Sequence, residues 1–383
     1  MDQRTADIAK KYAKESHKEE LALLRTLAQI PAPSGDEGRR AAFVRDWLLA
    51  QGTEPGQVVV DEAKNVVLTL SGEDHGAVEI FSAHTDVVAQ DTEPLPFHED
   101  DERMYAPGVG DDTANLVGLL MAAKWFLTHR PRLAHDVLVV ANSCEEGLGN
   151  LKGTRWLMGH LGSRRVIDFT SFDLYLGQHI THAVGSHRWR VRTRTAGGHS
   201  WENAGAPNAI EAMARIVGGL YAIPLPQGAK TSVNVGTICG GTTVNSIAAE
   251  AEALMEYRSA SQENLLWMRG RFETLCDSVK APGVEVEAEL IGERPASLAR
   301  DPQGEEALVE EGDEVIRELG GVESRHQDSS TDANIPLSLG IPAQTIGAVR
   351  GGLLHTRDEW IEKASLVQGL ELILGLMLDC QAR

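Results

Sequence analysis

The sequence predicts an α/β fold, a mixed sheet with helices on both faces, interrupted by a smaller α+β domain of ferredoxin-like pattern. Three observations predict it. Apolar, β-rich runs alternate with helical stretches in the first half of the chain and again near its end. Between about 185 and 292 the order changes to strand-helix-strand-strand-helix-strand, the split βαβ pattern. With 383 residues, the chain is also long for one hydrophobic core. The expected division is therefore a larger domain formed by 1–184 and 293–383, closed around an insert at 185–292.

The elements follow in chain order. The first thirty residues read as a charged helix running into LALLRTLAQI, stopped by Pro31 and Pro33. Ser34 is placed to cap a second helix that Gly52 ends. NVVLTL and VEIFSAH read as strands, NLVGLLMAAKWFLTH as a helix, DVLVVANS as a buried strand and the stretch around 151–161 as a helix. In the insert, HRWRVRTRT, TSVNVGTI, AEAEALMEYRS and VEVEAEL are strands, while NAIEAMARIVGGL and 265–279 are helices. The α/β texture then returns with a helix at 305–319, the run IPAQTIGAV and a last helix at 359–378.

Composition narrows the partners. A 42% hydrophobic and 24% charged chain suits a folded globular protein, not a disordered one. A formal charge of -20 argues against the basic surface that nucleic acid requires, and disfavours an anionic membrane. Cys144, Cys239, Cys276 and Cys380 form no CxxC and no disulfide-like spacing, which suits free thiols in a reducing cytoplasm. The charged start has no apolar segment of signal-peptide length, and no later stretch reaches the length of a membrane span, so a cytoplasmic location is expected.

Four clusters could carry chemistry. In FSAHTDVV, His84 ends an apolar strand and Asp86, two residues on, projects to the same side. A metal-bound imidazole commonly gives its second N–H to a carboxylate, which suits this pair, although taken alone an ordinary strand end accounts for it better. APGVGDDTANLVGLL sets Asp111 and Asp112 at the mouth of a helix, where acids also serve as caps, although its glycines allow one carboxylate to turn inward. VLVVANSCEEGLG runs a buried strand into Glu145 and Glu146, at the strand end where ligands gather in open α/β folds. One could bind a metal while the other moves a proton, or both could be solvated. GGLLHTRDEW delivers His355 on a glycine-rich turn. Together the donors match the nitrogen and oxygen preferences of zinc, with manganese or cobalt as alternatives.

With these residues the chain resembles, over nearly its whole length, the M20 family of co-catalytic metallopeptidases. That family includes peptidase T, aminoacyl dipeptidases, carboxypeptidases and N-acyl amino acid deacylases. His84-Thr85-Asp86 resembles its H-x-D, Gly110-Asp111-Asp112 its G-x-D-D region, Glu145-Glu146-Gly147 its E-E-G, and His355 with Glu359 its final histidine motif. The resemblance implies two metal ions bridged by Asp111 and a water, with His84 on one ion and Glu146 and His355 on the other. It implies Asp173 as the remaining ligand, with His179 close by in sequence, and Asp86 as the group that holds the His84 ring. Glu145 would be the general base and then the acid. The insert resembles the family's lid and dimerisation domain. There the resemblance points to His199 as support for the oxyanion, in its own or a partner subunit's site, and to Asn245 and Arg258 as substrate-binding residues. Asp332 lies in another similar segment and receives no role. The chain departs from many members at Thr113, where they have Lys, and Asp173 leans towards the peptidase T-like branch. The expected activity is cleavage of an amide bond in small peptides by a homodimeric aminopeptidase or dipeptidase. An N-acyl amino acid deacylase and a metal-free binding protein are the competing readings.

Overall fold

A computed structural model of the chain describes residues 1–298 and 301–379; Cys380 lies outside the described residues. Two compact units are present, and the stretch Ala183–Leu298 forms the second, splitting the first into two parts of the chain.

The first unit is organised by strands that are apolar along their whole length, as strands buried on both faces are. His135–Asn142 is buried at every position and Asp74–His84 over its last eight. Together with Arg165–Phe172 and Ala343–Ile346 they form the parallel centre of an eight-stranded sheet. In space the order is Val58–Val60, Val66–Leu70, His135–Asn142, Asp74–His84, Arg165–Phe172, Ala343–Ile346, Gln178–Ala183 and Arg325–Ser329. Val66–Leu70 and Gln178–Ala183 join it antiparallel, which makes the sheet mixed. The helix Asn115–His129, at the predicted boundaries, packs with Gln3–Leu27 and Ser365–Asp379 in one apolar core. A small antiparallel sheet of Gly351–Gly352, Trp360–Glu362, Arg103–Tyr105 and His98–Glu99 carries the hairpin that bears His355.

Two local expectations are corrected. Ser34 does not cap the second helix, which begins at Gly38; its hydroxyl donates to Asp86 instead. The last helix begins at Ser365, because 360–362 pairs as a strand with Arg103–Tyr105. Strand pairing is non-local, so the helical periodicity of that stretch did not reveal it.

In the second unit, Thr231–Gly240, Glu250–Ser259, Gly185–Arg194 and Glu285–Arg294 form an antiparallel sheet in that order. Trp189, Val191 and Thr193 are buried, while the arginines between them face outward. The helices Ala209–Ala222 and Gln262–Val279 complete a separate core around Tyr257 and Phe272. This unit reaches beyond 185–292 because Ala183 N–H bonds Ser297 Oγ and Ala296 N–H bonds Gln262 Oε1, tying both ends to it. Among the described residues, no helix is long and apolar enough to cross a membrane.

Candidate metal centre

The parallel strands converge at their carboxyl ends, where open sheets expose backbone and loops to a ligand. Strand Asp74–His84 ends on His84, His135–Asn142 leads to Glu145 and Glu146, and Arg165–Phe172 is followed at once by Asp173. His355 comes from the hairpin after Gly351–Gly352 and is 49% exposed, whereas the other four are buried.

Asp111 is the meeting point. One carboxylate oxygen lies 3.0 Å from His84 Nε2 and the other 3.1 Å from His355 Nε2. His84 Nε2 also lies 3.9 Å from Asp173, and His355 Nε2 lies 3.3 Å from Glu146. The potential donor atoms thus fall into two groups sharing Asp111, one with His84 and Asp173, one with Glu146 and His355; within each, all lie within 4.8 Å.

The turn presenting Asp111 is held as a unit. Glu359 accepts from the N–H groups of Gly108, Gly110 and Asp111 at 2.8–2.9 Å. A Cβ on Gly110 would stand 2.7 Å from Tyr175 and 3.0 Å from the Glu359 carboxylate, so only glycine lets the turn reach that anchor. The Asp111–Asp112 bond is cis. Asp112 turns away from the centre, accepting from His84 N–H at 2.7 Å and from the Asn115 amide at 2.7 Å. Asp86 accepts from the Glu145 and Glu146 N–H groups at 2.9 Å and from Ser34 Oγ at 2.6 Å, while standing 3.5 Å from His84 Nδ1. It therefore fixes the imidazole and the two-glutamate turn together.

The electrostatics of this arrangement fit divalent cations. Asp111, Asp173 and Glu146 are buried, and among the described residues they make no ion pair with Lys or Arg. Burial, reinforced by Asp111 and Asp112, pushes the Asp173 carboxyl well above its ordinary range. Burial, with Asp111 and Glu145 adding to it, pushes Glu146 up to about 7. The hydrogen bonds from His355 to Asp111 and Glu146 push that imidazole up to about 10. His84 is raised too, since the carboxylates of Asp112, Asp111 and Asp86 outweigh its burial. A field this negative draws protons onto both rings, and Asp173 Oδ1 accepts no hydrogen bond among the described residues. Positive charge delivered between the two histidines would satisfy all of these groups at once.

Residues outside the motifs complete the site. Arg40 is fully buried and gives its guanidinium to the carbonyls of Leu27, Ile30 and Thr85 and to Thr113 Oγ1, behind the strand end that bears His84. Asp332 accepts from the Asn142 amide and the Thr154 hydroxyl, and burial, with the charge of Glu145, pushes it up to about 7. Nothing in local sequence marks Arg40, because its role depends on which carbonyls the fold leaves unpaired. A cleft of about 230 Å³ opens beside Asp111 and His355, lined also by Val88, Gln90 and Arg357.

His179 lies in none of the Asp111-centred groups; it bonds Asp313 and Gln344. In the second unit, His199 and Asn245 are brought together: Gly198–His199 pairs with Ser246–Ile247, and Ser200 N–H bonds the Asn245 carbonyl at 3.0 Å. His199 Nδ1 lies 3.3 Å from the N–H groups of Trp201 and Glu202, which leaves the ring proton on exposed Nε2. Arg258 stands apart on Glu250–Ser259, its fork engaged by Glu256 at 2.8 and 3.2 Å.

Residues 80–379 match the model of peptidase family M20/M25/M40, and the chain belongs to this metal-dependent family of peptidases and amidohydrolases. Its fold is similar to that of a tripeptidase from Staphylococcus aureus, at 21% identity over 96% of this chain and 99% of that one, with a TM-score of 0.76. The aminopeptidase PepT of Bacillus cereus is similar at 19% identity over 96% and 99%, with a TM-score of 0.73. The dipeptidase Dug1p of Saccharomyces cerevisiae is similar at 14% identity over 99% of both chains, with a TM-score of 0.75.

Proposed function

We propose that this enzyme hydrolyses the amide bond of short peptides, as an aminopeptidase or dipeptidase, with two divalent cations at the centre around Asp111. The observation that carries this reading is the division of one buried carboxylate between two donor groups, its oxygens 3.0 Å from His84 and 3.1 Å from His355. His84, Asp111 and Asp173 would hold one cation, and Asp111, Glu146 and His355 the other. Zinc suits this mixture of imidazole and carboxylate, with manganese or cobalt as alternatives. When bound, such a pair polarises a carbonyl and makes water acidic at neutral pH.

The chain supplies the rest. Glu145, buried beside His84 and Glu146 with its backbone held by Asp86, takes the proton of the attacking water and returns it to the leaving amine. Asp86 keeps the His84 ring in place. His199 would support the oxyanion through a hydrogen bond from Nε2–H, in its own or a partner subunit's site, and Asn245 and Arg258 would hold substrate carbonyl or carboxylate groups, Arg258 by exchanging Glu256. Buried, unlinked Cys144 and Cys276 agree with a reducing cytoplasm. The exposed edge strand Thr231–Gly240 agrees with a homodimer joined there.

The test is hydrolysis of dipeptides, tripeptides and N-acetyl amino acids by the zinc- or manganese-loaded enzyme and by Glu145→Gln. Cleavage of peptides with a free amino terminus, lost by about 10²–10⁴-fold in a variant that still binds metal, is the expected result. Cleavage of acylated amino acids alone would replace it with the deacylase reading. No cleavage by metal-replete protein would leave a binding protein.

A further inference from the structure

We propose that His179, Asp313 and His326 form a second cation site, for a zinc-class transition ion, at the outer edge of the large sheet. The three residues come from neighbouring strands and the helix beside them: His179 from Gln178–Ala183, His326 from Arg325–Ser329 and Asp313 from Pro302–Glu318. Both rings are aimed at the same carboxylate. His179 Nδ1 lies 2.9 Å from Asp313 Oδ1, and His326 Nε2 lies 2.8 and 3.0 Å from Oδ1 and Oδ2. The rings stand at 88° with centroids 5.1 Å apart, so they converge edge-on without stacking.

The protons argue for a cation. Gln344 turns its amide nitrogen to Thr170 Oγ1 at 3.2 Å and its oxygen to His179 Nε2 at 2.8 Å, so Nε2 carries hydrogen. In a neutral ring the lone pair of Nδ1 then faces the Asp313 carboxylate at 2.9 Å, which is repulsive without a positive centre between them. Burial favours the neutral ring, since His179 is fully enclosed and its pKa is lowered by desolvation. A metal-binding histidine has this same arrangement, one nitrogen on the ion and the other donating to a fixed oxygen.

The backbone is shaped around the ring. A Cβ on Gly312 would sit 2.5 Å from Gln344 Oε1 and 2.9 Å from His179 Cε1, so glycine allows the helix to bring Asp313 this close. Two imidazoles and one carboxylate select zinc, nickel or copper over magnesium or calcium. His326 is 49% exposed, which leaves a path for the ion and room for water to complete its coordination. The site shares no residue with the centre around Asp111.

Elemental analysis of metal-stripped wild type, His326→Ala and Asp313→Asn, each dialysed against the same zinc buffer, tests the proposal. Both variants should hold one zinc per chain fewer than wild type while keeping its peptidase rate, and cobalt-loaded wild type should show more visible absorption than either cobalt-loaded variant. The comparison is a difference, so it stands whatever number of ions the Asp111 centre takes. Equal zinc content in all three proteins overturns the proposal and leaves a hydrogen-bonded His–Asp–His cluster.

Discussion

Asp111 and Asp112 are neighbours in sequence with opposite tasks: one faces two histidines, the other holds the N–H of His84. Glu359 exerts a similar control from a distance of 248 residues, through the three N–H groups it gathers. Glu359→Ala should lower stability by about 2–4 kcal/mol, since hydrogen bonds to a charged group contribute about 1.5–3 kcal/mol each and water recovers part. It should also weaken metal binding; an unchanged melting temperature and unchanged metal affinity would remove its anchoring role. Glu20 offers a pH test away from the centre. It is 1% exposed, and burial pushes it from 4.5 up to about 7. Its folded pKa lies above its unfolded one, so this residue favours folding below about pH 4.5 and the benefit is lost as pH rises through 7. Glu20→Gln should therefore raise the melting temperature at pH 8.5, by up to about 3 kcal/mol in stability, and do little at pH 4.5. Thermal melts at the two pH values decide; an equal effect at both would contradict burial as the cause.

At the scale of elements, the sheet of the second unit has one apolar face and one charged face, with a simple pattern. Arg188, Arg190, Arg192 and Arg194 alternate along the central strand and meet glutamates from both neighbours, at 2.7 Å for Arg192 with Glu252 and 3.0 Å for Arg190 with Glu289. Opposed charges on paired strands enforce register, because a one-residue slip would turn the arginines into the core. Each pair is partly exposed and contributes little by itself, about 0.2–1 kcal/mol. Arg192→Ala should lose about that much in low salt and less at 0.5 M or so, where exposed charges are screened. Urea melts at two salt concentrations measure this; a loss independent of salt would point to packing of the arginine stem. The edge strand Thr231–Gly240 lacks such a ladder and exposes Ile238. Sedimentation should show a dimer that Ile238→Lys weakens, and a monomeric wild type would refute association at this edge.

For the whole molecule, the two units have separate cores, and the Asp111-centred groups lie in the first alone. Removing metal should thus lower the stability of the first unit, by about 2.7 kcal/mol for each ion that had been held at about a hundred times its Kd. The core of the second should keep its hydrogen-exchange protection. Exchange measured with and without chelator checks this; uniform loss of protection across both would show that the units unfold as one.

How much was legible in the sequence follows from the range of each interaction. His84, Asp111, Glu146 and His355 stand in short motifs beside strand ends or glycine turns, from which the family could be read, while the α/β class was readable from the alternation of apolar strand runs with helical stretches. The boundaries of Asn115–His129 were readable because a helix is held by contacts three and four residues apart. The hairpin strand Trp360–Glu362, the Asp86 role of Ser34 and the buried Arg40 were not, because each depends on a partner far along the chain. His179 and Asp313 are 134 residues apart and share no motif, so sequence could place His179 near Asp173 but not assign its partner. The sequence by itself determined the fold class and the residue types available to the centre. Only the tertiary structure decided which oxygen faces which ring, because that choice is made by non-local packing and by the desolvation it imposes on buried charge.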